Sequence, residues 1–154
     1  MVYVHKASPR GRFVFSGHMN SMTTNGSEIA RAMYETLSPF HEVSGLRLRN
    51  SHSIYESGSL SRITLSFDDR MISISANEVD DTLNIELNNR LSSGIEPHES
   101  SEPLKRFIGQ SFGWGWVTIN QNGYLDGALL SFEGIVPNVL IQVVASSLKI
   151  TIIG

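Results

Sequence analysis

Tyr124 and Asp126 stand two residues apart on a strand-like segment, so their side chains share one face. A phenol beside a carboxylate can pass a proton, which is general acid–base chemistry. The structural use of the same aspartate is to bond turn amides beside Gly127. No second carboxylate or histidine is placed by spacing to complete a catalytic set, so catalytic residues stay unassigned and the reading leans away from an enzyme. Upstream, Trp114 and Trp116 alternate with Gly113 and Gly115. Aromatic side chains of this kind either fill a core or anchor a binding surface. The candidate binding residues are therefore Trp114, Trp116, Asn120, Tyr124 and Asp126.

Other chemistry-bearing residues are scattered. The five histidines, His5, His18, His41, His52 and His98, show no spacing that would put two on one helix or strand face as metal ligands. Asp80 and Asp81 lie in an acidic turn without the glycine and distal glutamate of a calcium loop. Asp68 and Asp69 belong to another turn, at the opposite end of the intervening strand. Solvated turns are expected at both places, and no metal. No Gly-x-Ser-x-Gly, phosphate-loop or dinucleotide glycine pattern occurs, so no cofactor is expected.

Phe112–Glu133, which carries the candidate residues, reads as a hairpin turning on Asn122-Gly123, a strong type I′ signal. That turn places Gln121 opposite Tyr124, Ile119 opposite Asp126, Val117 opposite Ala128, Gly115 opposite Leu130 and Gly113 opposite Phe132. One face is then Val117, Ile119, Ala128, Leu130 and Phe132. The other is Phe112, Trp114, Trp116, Leu125 and Leu129. Both faces are apolar, whereas a half-exposed antiparallel strand alternates with polar residues. Either the hairpin is covered on both sides, by the N-terminal helix among others, or one side is an open aromatic patch.

The elements around it can be placed in order. Residues 1–26 hold the short apolar runs VYVH and RFVF and are expected to be an extension, flexible or added upstream, outside a single domain of residues 27–154. Ser27 caps a helix over 27–37, with Ile29, Met33 and Leu37 on one face and Pro39 as its stop. Ser51–Ser59 reads as a serine-rich loop in which Ile54 and Tyr55 pair at most locally. A meander follows: Ile63, Leu65 and Phe67 are expected opposite Ala76, Ile74 and Ile72, and these opposite Leu83, Ile85 and Leu87. Ser73, Ser75, Asn84 and Glu86 take the outer face, so Ser73→Asp should be mild where Ile74→Asp is severe. Pro103 starts a short helix near 103–108 with Leu104, Phe107 and Ile108 on one side, stopped by Gly109. A final hairpin turning at Ser146-Ser147 sets Val143 opposite Ile150 and Ile141 opposite Ile152. The fold class is α+β: an antiparallel meander sheet of about seven strands, one N-terminal helix and one short helix.

A chain of 154 residues is long enough for one self-sufficient core. The absence of cysteine excludes disulfides, thiolate metal sites and a cysteine nucleophile. The net charge is −3, but residues 1–18 hold Lys6, Arg10 and Arg12 and no acid, leaving nine bases against fifteen acids in the remainder. That body carries no basic patch for nucleic acid. No run approaches the roughly 20 apolar residues of a bilayer span. The expectation is a cytoplasmic protein without nucleic-acid or membrane partners.

The pattern W-x-W followed by N-Q-x-G-Y-x-D-G, carried by Trp114, Trp116, Asn120, Gln121, Gly123, Tyr124, Asp126 and Gly127, resembles small uncharacterised bacterial α+β proteins. Some of these are similar to toxin-immunity proteins, and the resemblance covers about residues 60–153. The leading expectation is a non-enzymatic protein-binding module, an immunity-like partner of another bacterial protein, which fits an acidic body without catalytic clustering because acidic surfaces steer basic partners. The alternatives are a small-molecule or hydrolytic site around Trp114, Trp116, Tyr124 and Asp126, and a homo-oligomer joined by self-association.

Overall fold

The computed structural model describes residues 25–89, 102–122 and 124–154. The chain is one helix, α1 (Asn25–Glu42), and two four-stranded antiparallel meanders packed on each other. The first is β1 (Asn50–Glu56), β2 (Ser59–Ser66), β3 (Arg70–Asn77) and β4 (Thr82–Asn89). A 3-10 helix, Glu102–Phe107, precedes the second: β5 (Phe112–Ile119), β6 (Leu125–Phe132), β7 (Val139–Val144) and β8 (Ser147–Ile152). The architecture is α+β, but its strands number eight in two sheets rather than about seven in one. Residues 1–24, with the VYVH and RFVF runs, lie outside the described residues.

The extra strand comes from the serine-rich stretch. Ser57 and Gly58 both have positive φ, 51° and 83°, the pattern of a tight type I′ turn. That turn folds Asn50–Glu56 back on Ser59–Ser66, so the expected loop is a β-hairpin. Serine side chains give little hydrophobic alternation, which is why the strand is invisible to periodicity. The β3–β4 register is as expected, with Ala76 opposite Leu83, Ile74 opposite Ile85 and Ile72 opposite Leu87. Between β2 and β3 the register is shifted by two, pairing Leu65 with Ile72 and Ile63 with Ile74. The cause is a tighter turn: Phe67 N–H donates to Arg70 O at 2.9 Å, leaving only Asp68 and Asp69 between them. β7–β8 shifts likewise. Ala145 and Ser146, at φ 48° and 61°, form the turn, so Val143 faces Leu148 and Ile141 faces Ile150. Shifts of two leave every side chain on its expected face. The outer face of the first sheet is less open than expected, however: Ser73 is only 9% exposed, so an aspartate there is not a mild change.

Pro39 lies inside α1 and does not end it. Proline removes one helical hydrogen bond and crowds the preceding turn. Burial of Phe40 at the helix end and of Val43 just beyond offsets that cost. Thus α1 docks through its C-terminal part, while the side chains of Ile29 and Met33 lie outside the described ones. The short helix near 103–108 is a 3-10 helix, where residues three apart eclipse, so Leu104 and Phe107 are buried together and Ile108 points to solvent. Gly109 follows with φ 88°, as a helix-stopping glycine should.

Residues 45–49 join the two sheets. Phe112 N–H donates to Leu46 O (2.8 Å) and Leu48 N–H to Gln110 O (2.9 Å), along the entry to β5; Arg49 N–H then donates to Ser66 O (2.8 Å) in the first sheet. At the opposite region of the sandwich two turns are latched. The Asp81 carboxylate accepts from the Ser146 backbone N–H at 2.7 Å and from its hydroxyl at 2.8 Å. Asp80 accepts from the Thr82 hydroxyl at 2.6 Å. The acidic turn therefore ties the β3–β4 turn to the β7–β8 turn.

Candidate functional site

The tryptophan hairpin departs from the simple register at both ends, and the departures build the site. Trp114 to Thr118 pair with Ser131 to Gly127 as expected. At the entry Phe112, not Gly113, faces Phe132; at the exit Leu125, not Asp126, faces Ile119. Gly113 and Asp126 are the extra residues of two irregularities in the ladder. Each extra residue flips everything beyond it to the other face. Phe112 and Leu125, expected on the aromatic patch, are buried in the core instead.

Phe112 is the hub of that core. Its ring stacks on Phe40 of α1 (5.9 Å between centroids) and meets Phe67 (5.8 Å) and Phe132 (5.6 Å) edge-on, while Phe132 stacks on Phe107 (4.7 Å). One side chain thus connects the helix, both sheets and, through Phe132, the 3-10 helix. Gly113 is glycine because a Cβ there would lie 1.6 Å from Gly134 O. Beside it the Trp114 N–H donates to Ser131 Oγ (2.7 Å), whose hydroxyl lies 2.8 Å from Gly134 O. Gly115 faces inward, and a Cβ there would sit 2.3 Å from Cγ of Phe40. The glycine leaves the space into which α1 inserts.

With α1 held at that edge, the helical stripe Tyr34, Leu37, Ser38 and His41, at spacings of three and four, faces Trp114. Together they line an open, apolar groove of about 280 Å³. The His41 and Trp114 rings stand nearly perpendicular, at 86°, with centroids 6.2 Å apart. Tyr34 is 64% exposed. Nearby, the Ser44 hydroxyl donates to Gly113 O (3.0 Å), so the end of α1 and the β6–β7 loop meet at the same glycine. That loop presents Ile135 and Val136 at 79% and 76% exposure.

Of the residues singled out by sequence, Trp114 alone lines this groove. Trp116, half-buried, lies two residues further along the same face, opposite Leu129. Asn120 and Tyr124 stand at the far end of the hairpin, about 20 Å from Trp114 at the usual rise per strand residue, and Asp126, level with Thr118 and Ile119, about 15 Å away. Asn120 Oδ1 accepts from the N–H groups of Asn122 (2.9 Å) and Tyr124 (3.1 Å), so the turn amides belong to Asn120 rather than to Asp126. The Asn120 N–H donates to Tyr124 O (2.9 Å), closing the hairpin one residue earlier than a Gln121–Tyr124 pair would. Gly123, half of the expected turn, lies outside the described residues. Asp126 instead accepts from the Thr118 hydroxyl at 2.8 Å. Among the described residues no three of His, Cys, Asp and Glu are grouped to hold a metal ion.

Ser38 and His41 are absent from the sequence-derived binding set because ending the helix at Pro39 cuts them from the stripe that Tyr34 begins. Continuing the 3.6-residue period through Pro39 would have put Tyr34, Leu37 and His41 on one face.

Residues 33–154 match the profile of DUF6334, a family of unknown function. The chain belongs to the DUF6334 family. The DUF6334 span takes in the groove stripe of α1, both sheets and the whole tryptophan hairpin. Comparison with curated proteins and with solved structures returns no match. No helix among the described residues is long and apolar enough to cross a membrane.

Proposed function

We propose that this DUF6334 chain is a non-enzymatic, cytoplasmic protein-binding module that docks its partner at the groove between α1 and β5. The observation that carries the reading is the groove itself: exposed Tyr34 and His41 face Trp114 across an apolar cleft, and exposed Ile135 and Val136 follow Gly134, which packs on Gly113 next to Trp114 in the chain. Aromatic anchors in a cleft, next to exposed aliphatic side chains, have the composition of an interface centre. The resemblance of the hairpin motif to small bacterial immunity-like proteins gives the partner its form: another bacterial protein that this chain binds and restrains. A small-molecule site has weaker support. The groove, at about 280 Å³, falls just short of the usual ligand-pocket range. Tyr124 and Asp126, which could do chemistry, lie at the other end of the hairpin.

The test is site-specific photo-cross-linking in the native cell. A photoreactive residue at Tyr34 should give one discrete adduct with a second polypeptide, and the same residue at the exposed Glu86 should give none. Trp114→Ala should cut the Tyr34 adduct several-fold at unchanged melting temperature. Adducts only between copies of this chain, or equal labelling from both positions, would rule the docking face out.

A further inference from the structure

We propose that the α1–β5 groove receives a cationic side chain, an arginine, from a basic partner protein; this rests on the docking reading above. Three of the five side chains lining the groove, Tyr34, His41 and Trp114, are rings, and the other two, Leu37 and Ser38, are small or aliphatic. A π face attracts a cation, and tryptophan does so best. The near-perpendicular His41 and Trp114 rings make a corner in which one ring can offer its face while the other closes the side. Arginine suits such a place because its guanidinium is planar, stacks on rings and is weakly hydrated.

The surrounding charge favours the same occupant. On α1 Arg31 pairs with Glu35, and Glu42 at the helix end pairs with Arg70, which also pairs with Asp69, three acids against two bases. The chain beyond residue 18 carries nine bases and fifteen acids, a field that draws in basic proteins. An aliphatic side chain would fill the same volume without using either the rings or the charge. The distinction is therefore one of charge at constant shape.

It can be measured with a charged probe and its neutral isostere. N-acetyl-arginine amide and N-acetyl-citrulline amide are titrated into the full ¹⁵N-labelled chain at fixed ionic strength. Binding is followed on the Trp114 indole N–H signal, assigned with Trp114→Phe, and on the backbone amide signals of Leu37, Ser38 and His41, which remain in the Trp114 variants. The arginine compound should move that signal and bind about five-fold more tightly than the citrulline compound, the size of a modest cation–π contact. Trp114→Ala should abolish saturable binding of the arginine compound, and His41→Phe should retain it, since the corner needs a ring and not an imidazole. Equal affinity for the two compounds would overturn the cationic occupant while leaving the docking face standing. So would saturable arginine binding that survives Trp114→Ala. No movement of Trp114 with either compound would also overturn it, and the Tyr34 cross-link would then show separately whether the docking face survives.

Discussion

The two meanders carry the same number of strands and differ in how they meet the core. In the first, β1–β4, the ladder through β2, β3 and β4 runs without irregularity, and alternate residues fall to alternate faces. In the second, the β5–β6 ladder is interrupted at Gly113 and at Asp126. Those interruptions turn Phe112 and Leu125 inward while Trp114 and Trp116 stay outward. The first sheet is a wall; the second is a wall with its entry and exit bent so that a helix can be seated and a groove left beside it. Period-two alternation describes β2–β4 completely, while the β1–β2 ladder shifts once, between Ile54 and Tyr55. The second needs one extra piece of information at each end, and the groove sits where the first of these falls.

The largest expected effect tests whether the two sheets really share one core. Ile74→Asp in β3 and Leu130→Asp in β6 each put a charge among fully buried side chains. Each should cost about 4 kcal/mol or more, enough to unfold the domain. Circular dichroism and urea unfolding would show it, with the exposed Glu86→Ala as a near-neutral control. Loss of one sheet alone, with the other still cooperative, would mean two independent layers.

Next comes Gly115→Ala, which affects only the bent sheet. The added methyl would meet the Phe40 ring, which lies against Phe112 at the core hub. Overpacking of this kind costs about 1–3 kcal/mol. The accompanying sign should be loss of helical signal and of the Tyr34–Trp114 groove, while β2–β4 amides keep their exchange protection. An unchanged melting temperature would show that α1 is not seated through Gly115.

What could be read from the residues follows the same division. The β3–β4 pairs, the inward set Ile63, Leu65, Ile72, Ile74 and Leu83, and the middle of the tryptophan ladder all follow from alternation, because burial on one face enforces it. Turn lengths at Asp68-Asp69 and Ala145-Ser146 are not legible in the sequence, yet faces survive because each shift is by two. The serine-rich β1 is not legible because its pairing is carried by backbone bonds, not by apolar side chains. The bulge at Gly113 is not legible because a glycine between aromatics has two readings, a gap in a face or a bulged residue. Only the neighbour decides: at Gly113 it is Gly134 O, at Gly115 the Phe40 ring. The site was half-legible for that reason. Trp114 is legible, but of its partners on α1 His41 lies beyond a proline that tertiary packing overrides, and Tyr34 and Ser38 have a common face with it only if the helix continues.

A smaller effect is expected at the latch between the sheets. Asp81→Ala removes both acceptor contacts to Ser146, which lies in the turn at φ 61°. The pair is solvent-exposed, so the loss should be about 1 kcal/mol rather than the larger cost of a buried charged bond. Faster amide exchange should appear at Ser146 and Ser147 and leave the β5–β6 bulges untouched. A loss of several kcal/mol would make this end, not Phe112, the joint between the sheets.

The smallest effect should come from Thr118→Val, and it bears most directly on why the second sheet bends. Thr118 lies opposite Gly127, and its hydroxyl crosses to the carboxylate of Asp126, the residue left out of the ladder. A Cβ at position 127 would lie 2.6 Å from that hydroxyl, so glycine there gives the bond its room. Valine keeps the shape and removes the donor. The bond is partly buried and its acceptor still reaches water, so the cost should be about 0.5–1.5 kcal/mol. Leu125 should nevertheless stay in the core, because its burial outweighs one hydroxyl bond. The expected result is a small drop in stability with the Ile119–Leu125 cross-strand contact intact by NMR. If the ladder instead snapped to Ile119 opposite Asp126 and released Leu125 to the surface, the Thr118–Asp126 bond, not core burial, would be what bends the sheet.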